Sequence, residues 1–203
     1  MFEHDDDEAL FGHLRTANAG LLDRLRRVRH EHWAQPTPCA EWTVRQLVSH
    51  LVQANLIYAL LLRGGRKEQF ITIREQDTLG DDPLAAFERA AAECSAEFRA
   101  EGALDRAVDY PFGPVVGRQL LGLLIADVVV HTWDLARAIE GDERLDPELV
   151  SWTHANIEAI FDGVSDGPTA TDNSGNYFAY PPSAPPRSAD PQNLLLHLMG
   201  RTS

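Results

Sequence analysis

Along most of the chain apolar residues recur three and four positions apart, the spacing of one helical face. No segment shows the alternation expected of a half-buried strand. A first amphipathic segment, about residues 7–30, carries Leu10, Leu14, Leu21, Leu25 and Val28 on one side. Pro36 and Pro38 make 33–41 a turn or extended linker, because neither proline can donate a backbone hydrogen bond. Thr43, with Gln46 three residues on, has the form of a capping box. The helix it opens can run to Arg63, where Gly64 and Gly65 stop it, and a loop is expected from there through Asp81. Asp82-Pro83 then sets a capping carboxylate before a proline at the first helical position, where the missing N–H costs nothing. That helix bears Leu84, Phe87, Ala91, Cys94 and Phe98 and ends near Gly102. With two prolines and two glycines, 108–117 reads as a connector. The longest apolar helix follows, 118–139, closed by Gly141, and Asp146-Pro147 opens another to about Phe161.

Beyond Asp162 the pattern stops. Residues 163–191 are rich in Gly, Ser, Asn and Pro, too poor in apolar side chains for a core, and are expected to wrap the surface in extended form. A last short helix, 193–199, offers Leu194, Leu195, Leu196 and Leu198 for docking. No internal repeat is present. The fold class expected is all-α: a four-helix bundle with an additional helix and an extended Pro-rich C-terminal arm ending in a short helix. The 203 residues form one domain, with the core at about 7–162 and the arm at 163–203.

Charge narrows the partners. Against 18 Lys and Arg stand 31 Asp and Glu, a formal net charge of -13, which repels phosphate backbones and anionic membranes. Neither nucleic acid nor membrane is therefore an expected partner. The N-terminus lacks the basic and apolar regions of a signal peptide. The longest apolar stretch, 120–130, is short and broken by Asp127, so no bilayer-spanning helix is expected. Cys39 and Cys94 make no disulfide framework, in keeping with a cytoplasmic location.

The chemistry lies on two helices. His50 sits in the row of Leu47, Ala54, Ile57 and Leu61. Asp127 and His131, four residues apart and so stacked on one side, interrupt the face of Leu120, Leu123, Leu124, Leu135 and Ala138. A buried carboxylate needs a partner charge, hydrogen bonds or a metal. One divalent cation would satisfy all three groups and leave a coordination position open, as in catalytic sites. On spacing alone D-x-x-x-H is a weak motif, and a plain Asp–His hydrogen bond is the simpler explanation of the pair.

Other residues have plainer readings. Asp134 lies one turn past His131 and is suited to orienting that ligand. Trp42 and Trp133 read as packing aromatics, and Cys39 as a structural thiol. His154 can reach the site from the fifth helix or stay at the surface. Arg137 can bind an anionic substrate or pair with Glu140 or Asp134. Glu31-His32-Trp33 shows no spacing to a metal partner.

The segment PTPCAEWTVRQLVSHLVQ (36–53), followed by ADVVVHTWDLARAIEG (126–141), resembles the mycothiol-dependent maleylpyruvate isomerase N-terminal domain family. That family belongs to the DinB-like metal-binding bundles found mainly in actinobacteria. The closing ADPQNLLLHLMGR is similar to the family's last helix. The resemblance places metal ligands at His50 and His131, and the third at Asp127, where the family carries Glu. Asp is one methylene shorter, which leaves a looser bond, a water-mediated one, a different metal or a lost site all open. Two histidines and a carboxylate suit zinc, the first expectation, and also nickel, iron or manganese.

In the family the open position takes the sulfur of a low-molecular-weight thiol such as mycothiol. The resemblance therefore implies a thiol S-transferase whose partners are a small thiol and a small electrophile. A non-catalytic metal-containing ligand-binding or stress-response module is the alternative. A thiol-dependent cis-trans isomerase comes third, because the isomerase carries a further C-terminal domain and the stretch after residue 162 is too short for one. Bundles of this type also pair as homodimers, which extends to this chain as an expectation.

Overall fold

The computed structural model describes residues 5–39, 42–74, 76–165, 181 and 190–201. They form α1 (Asp7–Leu25), α2 (Val44–Leu62), α3 (Glu68–Arg74), α4 (Pro83–Phe98), β1 (Ala107–Val108), β2 (Val115–Val116), α5 (Gly117–Ala138), α6 (Pro147–Ile160) and α7 (Pro191–Leu198).

The helices start where capping chemistry places them. At α2 the Thr43 N–H donates to Gln46 Oε1 at 2.8 Å while Gln46 N–H donates back to Thr43 Oγ1 at 3.4 Å. Three Asp-Pro pairs open α4, α6 and α7. The carboxylates of Asp82, Asp146 and Asp190 accept from the amides of Ala85, Leu149 and Asn193 at 3.0, 3.0 and 3.2 Å. At the end of α2, Gly64 takes φ +88° and lets the Gly65 N–H reach the Leu60 carbonyl at 2.9 Å.

Helix packing closes a ring: α2 lies against α4, α4 against α1, α1 against α5, and α5 against α2. Leu10 and Leu21 of α1, Leu47 and Leu51 of α2, Phe87 of α4, and Leu120, Leu124 and Val128 of α5 fill its centre at 1% exposure or less. Each such side chain contributes about 1.5–3 kcal/mol over leaving it in water. Outside the ring α6 packs on α5, α7 on α6, and α3 on α2. By length and hydropathy α5 would pass for a membrane span, but it is the central helix of the bundle, buried along most of its length.

Four features depart from the sequence expectation. The first helix ends at Leu25, not near His30, since the apolar stripe is spent and Arg26, Arg27 and Arg29 follow. The chain then makes a 3-10 turn over His30–His32, in which the Arg29 N–H donates to His32 Nδ1 at 3.1 Å. The loop expected before Asp81 contains α3, anchored where Phe70 and Ile73, three apart, pack on the core and the Gln53 amide donates to the Arg74 and Gln76 carbonyls. The connector holds a two-residue antiparallel ladder, Ala107 opposite Val116 and Val108 opposite Val115. At the end of α5 the left-handed residue is Glu140, φ +54°, while Gly141 donates to the Ala136 carbonyl at 2.7 Å. Apart from Pro181, the expected extended arm at 166–189 lies outside the described residues.

Candidate metal centre

Packing of α2 against α5 brings His50 opposite Asp127 and His131, which are one turn apart on α5. The Asp127 carboxylate lies between the two imidazoles. Oδ2 is 3.2 Å from His50 Nε2, and Oδ1 is 3.2 Å from His131 Nε2. One donor atom from each residue falls within 4.8 Å of the other two. Metal bonds of about 2.0–2.1 Å at tetrahedral angles set donor atoms about 3.3 Å apart, so both carboxylate–imidazole spacings already match the edges of a coordination shell. Asp127, though shorter than the family's Glu, reaches both rings.

The cluster is graded from open to closed. The His50 and Asp127 side chains are 23% and 17% exposed, that of His131 8%, and that of Asp134 none at all. Solvent therefore meets the site at the His50 and Asp127 edge. The Trp42 ring covers one flank, its centroid 4.8 Å from that of His50 and 5.9 Å from that of His131. On the closed side His131 Nδ1 lies 2.8 Å from Asp134 Oδ2. Holding that nitrogen as the donor turns Nε2 toward Asp127 and His50, where it offers a lone pair once its proton is lost.

Charge follows the same gradient. Burial alone would lower the His131 pKa, but the carboxylates of Asp127 and Asp134 outweigh it and raise it to about 9. At Asp127 burial would raise the pKa, and the two imidazoles overcome it and hold the carboxyl well below its usual range. Burial lowers His50 despite Asp127 beside it. Asp127 is thus an anion and His50 a neutral imidazole, as ligation requires, and His131 must give up a proton to bind.

Behind Asp134 stands Arg201. Its Nε donates to Asp134 Oδ1 at 3.2 Å and its Nη2 to Oδ2 at 2.6 Å. No periodicity links this residue, 67 positions away and just past the end of α7, to Asp134. Cys39 lies in the same layer, close to His131 and Asp134. Burial pushes its thiol up to about 11 against the nearby Arg201, so it stays protonated, and Asp134 is already shared between His131 and Arg201.

The remaining candidates sit elsewhere. Arg137 pairs with Glu143 through Nε and Nη2 at 3.1 and 3.0 Å and lies over the buried Trp133 ring. His154 is half-buried on α6 and belongs to neither ligand cluster found among the described residues. His32 is buried and accepts from the Arg29 amide.

The four-helix ring has the fold of a DinB-like bundle. A crystal structure of a DinB-like protein from Bacillus subtilis superposes with a TM-score of 0.55 at 18% identity, over 68% of this chain and 96% of that one. The chain belongs to the mycothiol maleylpyruvate isomerase N-terminal domain family, whose profile matches residues 14–136. Uncharacterized proteins from two strains of Mycobacterium tuberculosis, CDC 1551 and H37Rv, are each 32% identical over 195 residues, 96% of this chain and 98% of their own length.

Proposed function

We propose that the protein holds one divalent cation, zinc in the first instance, through His50, Asp127 and His131, and uses it to transfer a low-molecular-weight thiol of the mycothiol type to a small electrophile. The observation that carries this reading is the Asp127 carboxylate set 3.2 Å from both ligand imidazoles, with His131 fixed from behind by Asp134. Membership of a family named for mycothiol supplies the class of thiol. A cation bound there favours thiolate over thiol near neutral pH. The protein's own part is positioning. Asp127 and the two imidazoles, His131 once deprotonated, supply the donor set, Trp42 shields a flank, and the partly exposed His50 edge is where the sulfur and its target would approach. A carbon–sulfur bond forms as the leaving group departs with its electron pair, and the thiol proton passes to solvent. No protein nucleophile is needed, which agrees with the raised Cys39 thiol.

Metal content of the purified protein tests this first, wild type beside a His50→Ala/His131→Ala double variant. The expected result is near-stoichiometric metal in the wild type, its loss in the variant, and consumption of a chromogenic aryl halide only with metal and mycothiol both present. Metal-free wild type after incubation with zinc or nickel would sink the reading. Metal without thiol-dependent turnover would leave a binding module.

A further inference from the structure

The C-terminal turn reaches the metal centre through one buried contact chain. The last turn of α7 closes with Gly200 at φ +79°, its N–H donating to the His197 carbonyl at 3.0 Å and the Arg201 N–H to the Leu196 carbonyl at 2.8 Å. That closure reverses the chain and sends the Arg201 side chain inward, where it is 8% exposed. Leu195 and Leu196, fully buried, fix the helix that carries it. The guanidinium then grips both oxygens of Asp134 and spends a further donor, Nη1, on the Met199 carbonyl at 2.6 Å. Asp134 Oδ2 accepts from Arg201 and His131 together, so the oxygen that orients the ligand is the one the arginine holds.

We propose that Arg201 is a positioning residue of the metal centre: by fixing Asp134 with two parallel hydrogen bonds it holds the His131 ring in the orientation that binds the cation. This rests on the metal reading above. A purely structural ion pair would need only charge compensation, which a single contact supplies. Here the two-pronged grip sets the plane of a carboxylate that no solvent touches, and the imidazole follows that plane. Without Arg201, Asp134 would keep its charge beside His131 alone and could rotate about its own side chain. The ring would lose a fixed direction without losing its partner. The terminal turn thereby couples docking of α7 to a site built on α2 and α5.

The test is zinc affinity by competition with a chromophoric chelator, with the cobalt(II) absorption spectrum as the geometric readout. It uses the full chain of wild type, Arg201→Lys and Arg201→Gln, each checked for folding by circular dichroism. Arg201→Gln is expected to weaken zinc binding about 10–100-fold, the usual effect of losing an outer partner, and to alter the cobalt bands. Arg201→Lys keeps the charge but not the fork and should fall between the two. A folded variant with wild-type affinity and spectrum overturns the proposal. Should Arg201→Gln fail to fold, Arg201→Lys decides by the same criterion. Wild type that binds neither zinc nor cobalt overturns this proposal together with the metal reading, whereas wild type that binds beside indifferent variants overturns this proposal alone.

Discussion

His131 is the group at the site whose proton linkage is felt just above neutral pH, and its sign is fixed by its neighbours. In the chelator-stripped protein its pKa lies near 9 in the folded state against 6.5 unfolded. A raised pKa means the folded chain holds the proton more tightly. The stabilisation is therefore complete below pH 6.5 and is lost as pH rises through about 9. His13 and His50 are lowered, each by burial, and titrate below that window. The expected outcome is a urea midpoint that falls between pH 6.5 and 9 for the stripped protein, with a flatter profile for His131→Gln. A wild-type profile as flat as the variant's would contradict the proximity of Asp127 and Asp134 to this ring. The same proton would compete with a cation bound at Nε2. Three of these residues were legible in the sequence because Asp127 and His131 interrupt an apolar face one turn apart and His50 interrupts another. Arg201 was not, since its role comes from a turn that reverses the chain onto a partner in a different helix.

Element boundaries are set by local rules, and those are the part of the fold most readable in a sequence. The Asp-Pro pairs at Asp82 and Asp146 mark helix starts because the carboxylate takes orphan amides and the proline lacks one. Asp146 accepts from both the Glu148 and Leu149 amides at 3.0 Å, so Asp146→Ala is expected to cost about 0.5–2 kcal/mol. For a chain of this size that lowers Tm by about 1–8 °C, measurable by differential scanning calorimetry. An unchanged melting curve would mean that α6 is held by its buried face alone. Illegible elements are those below the length at which periodicity appears. Seven residues of α3 and two-residue strands leave no repeat to count; α3 is anchored by the Gln53 side chain of another helix, and the strands pair with each other across a short hairpin. Glu140 shows the converse, a helix end closed by the local Gly141 N–H to Ala136 carbonyl bond with a non-glycine residue at positive φ beside an available glycine.

At the scale of the whole molecule, the ring of α1, α2, α4 and α5 explains how a polar triad persists in an apolar interior. Each of the three residues sits on a helix that packs in the ring, so His131 is nearly closed off while His50 and Asp127 keep one edge toward solvent. The bundle was legible because a core needs only matched apolar stripes, which the sequence displays. How the stripes pair is what unites His50 with residues 77 and more positions away. A cation bound across α2 and α5 would tie two sides of the ring together and stabilise only the folded chain. At a free zinc concentration of 100 times Kd the linkage is about 2.7 kcal/mol. With about 2–4 °C per kcal/mol for a chain of this size, Tm should rise by about 5–11 °C. The His50→Ala/His131→Ala variant should not respond, and a chelator should reverse the shift in the wild type. Equal shifts in both proteins would assign the effect to scattered surface carboxylates, of which a chain with 31 acidic residues has many. The difference between the two curves, not the wild-type shift alone, therefore measures the site.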